Sequence, residues 1–171
     1  EAGAEVTLVS GPTSQATPAG VTRIDVTSAA EMAAAVDANL AGVDAFVAVA
    51  AVADYTPAAP SKTKIKKTSA PQTIALTPTV EILATVVARP DAPYCVGFAA
   101  ETDDVEHNAE EKRRRKKLPL IIANRAQDAF GRDDNAVTLF DDAGAHPVPR
   151  MEKLALARRL VAEIARRLPK R

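Results

Sequence analysis

The apolar positions of this chain come in short runs with strand-like character and in longer stripes with helical spacing, and the two kinds take turns. Glu5 to Ser10 is a short apolar strand ended by Gly11-Pro12, and residues 11 to 20 form a loop. Val21 to Val26 alternates like a strand. Ser28-Ala29-Ala30-Glu31 is a capping box, and it opens a helix whose stripe is Met32, Val36 and Leu40, closed near Gly42. Ala45 to Ala50 has the length and composition of a buried strand. Pro57 and Pro60 then force the chain out of regular structure into a lysine-rich loop.

Thr73 to Leu76 is a candidate short strand. Thr77, with Pro78 at the first helical position, or Thr79 one step later, is expected to cap a helix carrying Ile82, Leu83 and Val86. Tyr94 to Ala99 is another buried strand. A helix is expected from Thr102-Asp103 to Pro119, then a strand from Leu120 to Ala123, then a polar loop over 127–134. Ala136 to Asp141 and Pro147 to Pro149 read as paired strands. The last helix, about Met151 to Leu168, is expected to bury Leu154, Leu160, Val161 and Ile164. Strands alternating with helices predict an α/β, Rossmann-like fold, a largely parallel sheet with helices on both faces.

Composition sharpens this picture modestly. At 171 residues the chain suits a single domain. Twenty-two basic and 22 acidic residues balance, so net charge gives no argument for a nucleic-acid or membrane partner. A single cysteine allows no intrachain disulfide and suits a reducing compartment, which points to the cytoplasm. No apolar run is long enough to cross a bilayer. Glu1-Ala2-Gly3-Ala4 reads as the end of a helix with its glycine cap. The expectation is therefore one domain, residues 1–171, lacking its first strand, first loop and most of its first helix.

Four stretches could carry chemistry. Ala45 to Lys67 delivers Asp54 after a buried strand and then a basic loop with four lysines between Lys62 and Lys67, the layout of a phosphate-ligand site at the end of an open α/β sheet. In the helix after Thr102, Val105 and Ala109 continue at helical spacing to Lys112 and Lys116, so two lysines fall on the face that should pack inward. That is costly unless they meet an anion or reach solvent. Phe98, among small residues near a strand's end, could stack on a base or fill the core. The helix start near Thr77 to Leu83 offers backbone N–H groups to phosphate. Cys95 reads as a core residue, and His107 and His146 have no metal-ligand spacing with it.

Taken together, Ala50-Ala51-Val52-Ala53-Asp54-Tyr55, Lys64-Ile65-Lys66-Lys67, Gly97-Phe98-Ala99-Ala100-Glu101-Thr102, Lys112 with Lys116, and Ile122-Ala123-Asn124 closely resemble bacterial phosphopantothenoylcysteine synthetase. Val6 to Pro12 and Asp134-Asn135-Ala136 extend the resemblance over essentially the whole chain. The family is usually the C-terminal half of a bifunctional coenzyme A enzyme, whose other half is an FMN-dependent decarboxylase absent from this chain. It joins 4′-phosphopantothenate to cysteine. CTP, with Mg2+, turns the carboxylate into an acyl-cytidylate, and the cysteine amine then displaces CMP.

The resemblance implies a site. Lys64 would be catalytic. Asp54, Lys64, Val80, Glu81, Ile82, Leu83, Phe98, Lys112 and Lys116 would bind CTP, and Ala50 and Ala51 would line the pantothenate. Metal ligands stay undefined. A homodimer is implied, with extra strands near 52–76 or 136–149 pairing across the interface, and neither a nucleic-acid nor a membrane partner. Cytosine would be told from uracil by a carbonyl of the Ala99-Ala100 segment, taken as a turn.

Two departures matter. The family's catalytic asparagine, in an SNxSSG-like segment, has no counterpart here, so the chain alone is expected to be inactive. Pro78-Thr79-Val80-Glu81-Ile82 stands where the family's phosphate-binding turn is often Asn-Pro-Asp-Ile, and Glu81 would be unfavourable beside phosphate if it faced the ligand, although the backbone N–H role survives the change. The competing readings are a nucleic-acid-binding module using the Lys112–Lys117 run, or a catalytically silent assembly domain.

Overall fold

The computed structural model describes residues 2–61, 63–67, 69–129 and 131–169. In chain order the elements are β1 (Val6–Ser10), β2 (Val21–Asp25), α1 (Ala29–Ala38), β3 (Ala45–Ala48), β4 (Tyr55–Pro57), β5 (Leu76–Pro78), α2 (Ile82–Val87), β6 (Tyr94–Glu101), α3 (Val105–Arg115), β7 (Leu120–Arg125), α4 (Ala126–Ala129), β8 (Asp134–Asp141), β9 (Gly144–Glu152) and α5 (Lys153–Arg167).

The main sheet has five strands in the order β3-β6-β7-β8-β9. β3, β6 and β7 run parallel, whereas β8 and β9 form an antiparallel hairpin that closes one side. The sheet is thus mixed rather than largely parallel. The reason is local: the connection between β7 and β8 is too short for the crossover that a parallel pair needs, so β8 turns back along β7, and the chain then reverses again at Gly144, whose φ of +116° suits only glycine, to lay β9 beside β8. β1 and β2 pair in parallel as a separate two-stranded unit, and β4 and β5 form an antiparallel arm.

Period-two alternation along β6 and β7 builds two cores. Cys95, Ala99, Ile121 and Ala123 face α1, α2 and α3, together with Val36, Leu83, Val86, Ala109 and Leu118. Val96, Leu120 and Ile122 face the other way, toward Leu156 and Leu160 of α5. Helices therefore cover both faces. Gly97 sets how closely α2 and the segment after α3 approach the sheet. A Cβ there would lie 2.9 Å from Leu118 Cδ1 and 3.2 Å from Leu83 Cδ2.

Several local expectations shift. Ser28 does cap α1, accepting from Glu31 N–H while the Glu31 carboxylate accepts from Ser28 N–H. Neither Thr77 nor Thr79 caps α2. Thr77 and Pro78 lie in β5, and the helix starts after Glu81. In α5 the buried pair is Leu156 and Leu160, while Leu154 and Val161 are exposed. A stripe spaced by four faces the sheet, and its flanks turn to solvent. The expected helix end at the chain's start falls on residue 1, and Lys62 also lies outside the described residues. Among the described residues, no helix is long and apolar enough to cross a membrane.

Candidate functional site

The carboxyl ends of β3 and β6 define a notch. β3 stops at Ala48, opposite Gly97, but β6 runs on to Glu101 beside β7. From Phe98 to Glu101, β6 therefore has a ladder partner on the β7 side and none on the β3 side. Ala99 and Ala100 are strand residues here, not a turn. Ala50, Ala51 and Asp54 lie in the exposed stretch that follows β3.

That stretch is tied down by one threonine. Thr79 donates its backbone N–H to the Asp54 carbonyl at 2.9 Å and its hydroxyl to the Ala53 carbonyl at 2.6 Å. The segment after β3 is thereby clamped to the segment that opens α2. Val80, Glu81, Ile82 and Leu83 follow at once, so Asp54 and the α2 start are brought together. Leu83 is buried in the core, Ile82 packs against it, and Val80 is exposed. Leu83 can therefore offer backbone alone. Beyond Asp54 the chain forms the β4–β5 arm, and the Ala58 N–H donates to the Ala75 carbonyl. Lys64 lies on the exposed loop between the two arm strands.

α3 lies on the face of β6 that carries Gly97, Ala99 and Glu101. Val105 packs inward and Ala109 is fully buried, as the spacing predicts. The helix continues with a split. Arg113 is the deeply buried basic residue, and Lys112 and Lys116 flank it, partly covered. Arg113 pins the end of α3 to the β8–β9 turn. It donates to Glu110 Oε2 at 2.8 Å, to Asp142 Oδ1 at 2.8 Å and to the Leu118 carbonyl at 3.2 Å. The Arg113 hydrogen bond holds the Glu110 carboxyl down to about 2, and Arg114 adds to it against the opposing effect of burial.

Lys112 and Lys116 instead reach toward the notch. Lys112 Nζ meets Glu101 Oε1 at 2.5 Å, and Lys116 Nζ meets Glu81 Oε2 at 2.8 Å. Each ammonium has a carboxylate from an element at the site: the end of β6 for one, the start of α2 for the other. Sequence reasoning passed over Glu101 and Thr79 as working parts. Period-two alternation carried a usable signal for Glu101, because it shares a face with Gly97 and Ala99.

Phe98 does not join these lysines. It projects to the opposite face of β6 and packs with Tyr94, Met151 and Ile164 against the second core. Cys95 is buried and donates its S–H to the Pro93 carbonyl at 3.3 Å, and burial pushes its thiol up to about 11. Among the described residues no group of three His, Cys, Asp or Glu could hold a metal ion. The described residues thus form no three-ligand cage for magnesium. They fit an ion carried on phosphate oxygens, with one or two carboxylates nearby. The basic run of α3 is largely spoken for. Arg114 and Arg115 pair with Glu110 and Glu111, in addition to the pairs already named.

A family model described as the DNA/pantothenate metabolism flavoprotein C-terminal domain matches residues 1–168. The chain belongs to that family. It is 45% identical over 168 residues to the coenzyme A biosynthesis bifunctional protein CoaBC of Vibrio vulnificus (strain YJ016), covering 95% of this chain and 42% of that protein. The CoaBC of Bacillus subtilis (strain 168) is 42% identical over 168 residues, with 95% and 41% covered. The chain thus spans about two fifths of the length of these curated relatives. Among solved structures, the crystal structure of the C-terminal domain of CoaBC superposes with a TM-score of 0.78 at 37% identity, covering 95% of this chain and 74% of that one. Membership of the family and this superposition agree with the α/β fold and its mixed sheet.

Proposed function

We propose that this chain is the CTP-using part of a phosphopantothenate–cysteine ligase in coenzyme A biosynthesis. Besides family membership, one observation supports the reading most: two partly covered lysines, one on α3 and one at its C-cap, pair with carboxylates at the end of β6 and before α2, beside the notch where β3 ends and β6 continues. In an open α/β sheet, ligands bind outside the carboxyl ends of the strands. Two ammonium groups there suit a triphosphate. CTP would lie along α3, with its phosphates on Lys112 and Lys116 and near the Asp54–Thr79 clamp. The outer edge of β6 at Ala99-Ala100 would offer a carbonyl to the cytosine amino group. Ala50 and Ala51, small and exposed, would let pantothenate approach the main chain. Phe98 would contact nucleotide only by its exposed edge.

The reaction balances in two steps. The phosphopantothenate carboxylate attacks the α-phosphorus of CTP, forming a C–O–P link as pyrophosphate leaves. The cysteine amine then attacks the acyl carbon, an amide forms and CMP leaves with the bonding pair. Lys112 and Lys116 neutralise the phosphate charge. Lys64, carried on the arm loop, would meet the negative charge that develops during the attack. Magnesium would supply charge neutralisation on the phosphate oxygens. The flavin named in the family description would belong to the part of the whole protein outside this chain.

Assembly and location follow the same reading. Tyr55, Ile74 and Leu76 on the arm are 60%, 72% and 57% exposed, an apolar surface that a second copy of the chain would cover. The β8–β9 hairpin is already built into the main sheet, so the arm is the better dimer element. A free, buried cysteine suits the reducing cytoplasm. Calorimetry tests the nucleotide reading. CTP should bind more tightly than UTP, by about 1–3 kcal/mol for one mismatched hydrogen bond. Lys112→Gln should weaken CTP. Equal affinities for CTP and UTP, with no effect of the substitution, would remove it.

A further inference from the structure

The two α3 lysines do not have equivalent counter-ions, and the difference says which one moves. Glu101 is held at the end of β6, its side chain only 12% exposed, and it packs over Lys112 at 2.5 Å. Glu81 stands before α2 with its side chain 52% exposed, and it caps no helix N–H group. Its carboxylate meets Lys116 at 2.8 Å, and Lys116 is 25% exposed. A carboxylate in water can leave its ammonium partner at little cost, because an exposed ion pair is weak. A carboxylate fixed on a strand and mostly covered cannot leave so easily.

Resting on the CTP reading, we propose that Glu81 is an internal stand-in for phosphate. It neutralises Lys116 while the site holds no nucleotide and gives that lysine up when a triphosphate arrives. Glu101, by contrast, keeps Lys112 aimed throughout. Glu81 is therefore a competitor built into the site. Its backbone belongs to the site, but its side chain works against ligand binding until it swings into solvent. This gives the Glu81 carboxylate, which would be unfavourable beside phosphate, a partner in Lys116 while no nucleotide is bound.

Specific consequences follow for a pairwise substitution cycle in the full-length protein, read by calorimetry with CTP. Glu81→Gln removes the competitor and keeps the shape, so CTP should bind about two- to fivefold more tightly, the span expected for losing an exposed ion pair. Lys116→Gln should weaken CTP. In the Lys116→Gln background, Glu81→Gln should bring no further gain, because nothing is left to compete for. Glu101→Gln should weaken CTP, the opposite sign to Glu81→Gln, since Lys112 loses its aim. Thermal melting of each variant checks that it folds, which is expected for the exposed Glu81.

The outcomes separate cleanly. A gain in Glu81→Gln that persists undiminished in the Lys116→Gln background would show only general charge repulsion, and the exchange would be overturned. Unchanged or weaker binding in Glu81→Gln, with Lys116→Gln still impaired, would also overturn it and leave the CTP site standing. Lys116→Gln binding CTP like the unsubstituted protein would overturn both the exchange and this lysine's place in the site.

Discussion

Adding one methyl group at Gly97 should loosen the packing that holds the site together. The position has no positive φ, so its backbone accepts alanine and the cost is steric alone. The new Cβ would sit 2.9 Å from Leu118 Cδ1, closer than real contacts allow, and 3.2 Å from Leu83 Cδ2. Both leucines are buried, at 2% and 7% exposure, so neither can swing into solvent. Overpacking of this kind costs about 1–3 kcal/mol. The reduced freedom of the unfolded chain returns about 0.4–1 kcal/mol. The net is a loss of about 1.5 kcal/mol, which for a chain of this size lowers Tm by about 3–6 °C. Circular dichroism melting, with urea unfolding alongside, reads it. Pairing Gly97→Ala with Leu118→Val should restore part of the loss, because the shortened side chain vacates the crowded spot and the two changes couple. An unchanged or higher Tm for Gly97→Ala alone would refute the close-packing argument. So would strictly additive losses in the pair.

Other substitutions probe separate links. Arg113→Met should cost about 1–3 kcal/mol in urea unfolding, since it strips partners from Glu110, Asp142 and the Leu118 carbonyl. Glu110, held down to about 2 from an ordinary 4.5, contributes stability that is complete above the unfolded value and lost as pH falls through the folded one. Acid unfolding of Glu110→Gln should accordingly be flatter between those limits. Cys95, with its thiol pushed up to about 11, should resist maleimide at pH 8 until the chain is unfolded. Lys64→Gln should melt like the unsubstituted protein, because the residue is exposed, yet lose most CTP-dependent pyrophosphate release. Full release with that variant would move Lys64 out of the chemistry.

What the sequence made legible divides along physical lines. Features set by neighbours along the chain were readable: the Ser28–Glu31 capping box, the buried run of β6 and the Val105–Ala109 stripe all depend on local spacing. Features set across the fold were not. The Thr79 hydroxyl looks like a helix cap until a carbonyl far upstream, that of Ala53, takes it. Leu154 and Val161 look like core because α5 has apolar residues on more than one side, and only the sheet decides which side is covered. Periodicity put Lys112 and Lys116 on the inward face of the helix, but both stay partly exposed and Arg113 goes deepest because Glu110, Asp142 and a carbonyl await it. The strand pair around Gly144 was readable, but its antiparallel docking on β7, which makes the sheet mixed, was not, because strand–helix alternation upstream pointed to parallel pairing.

The most direct test of the central claim uses the full-length protein with CTP and 4′-phosphopantothenate, but no cysteine. After acid quench, mass spectrometry should find an acyl-cytidylate together with an equal amount of pyrophosphate. Adding cysteine should then convert the intermediate to phosphopantothenoylcysteine and CMP. If pyrophosphate appears equally without phosphopantothenate, or no cytidylylated species forms while product still accumulates, the proposed chemistry is contradicted.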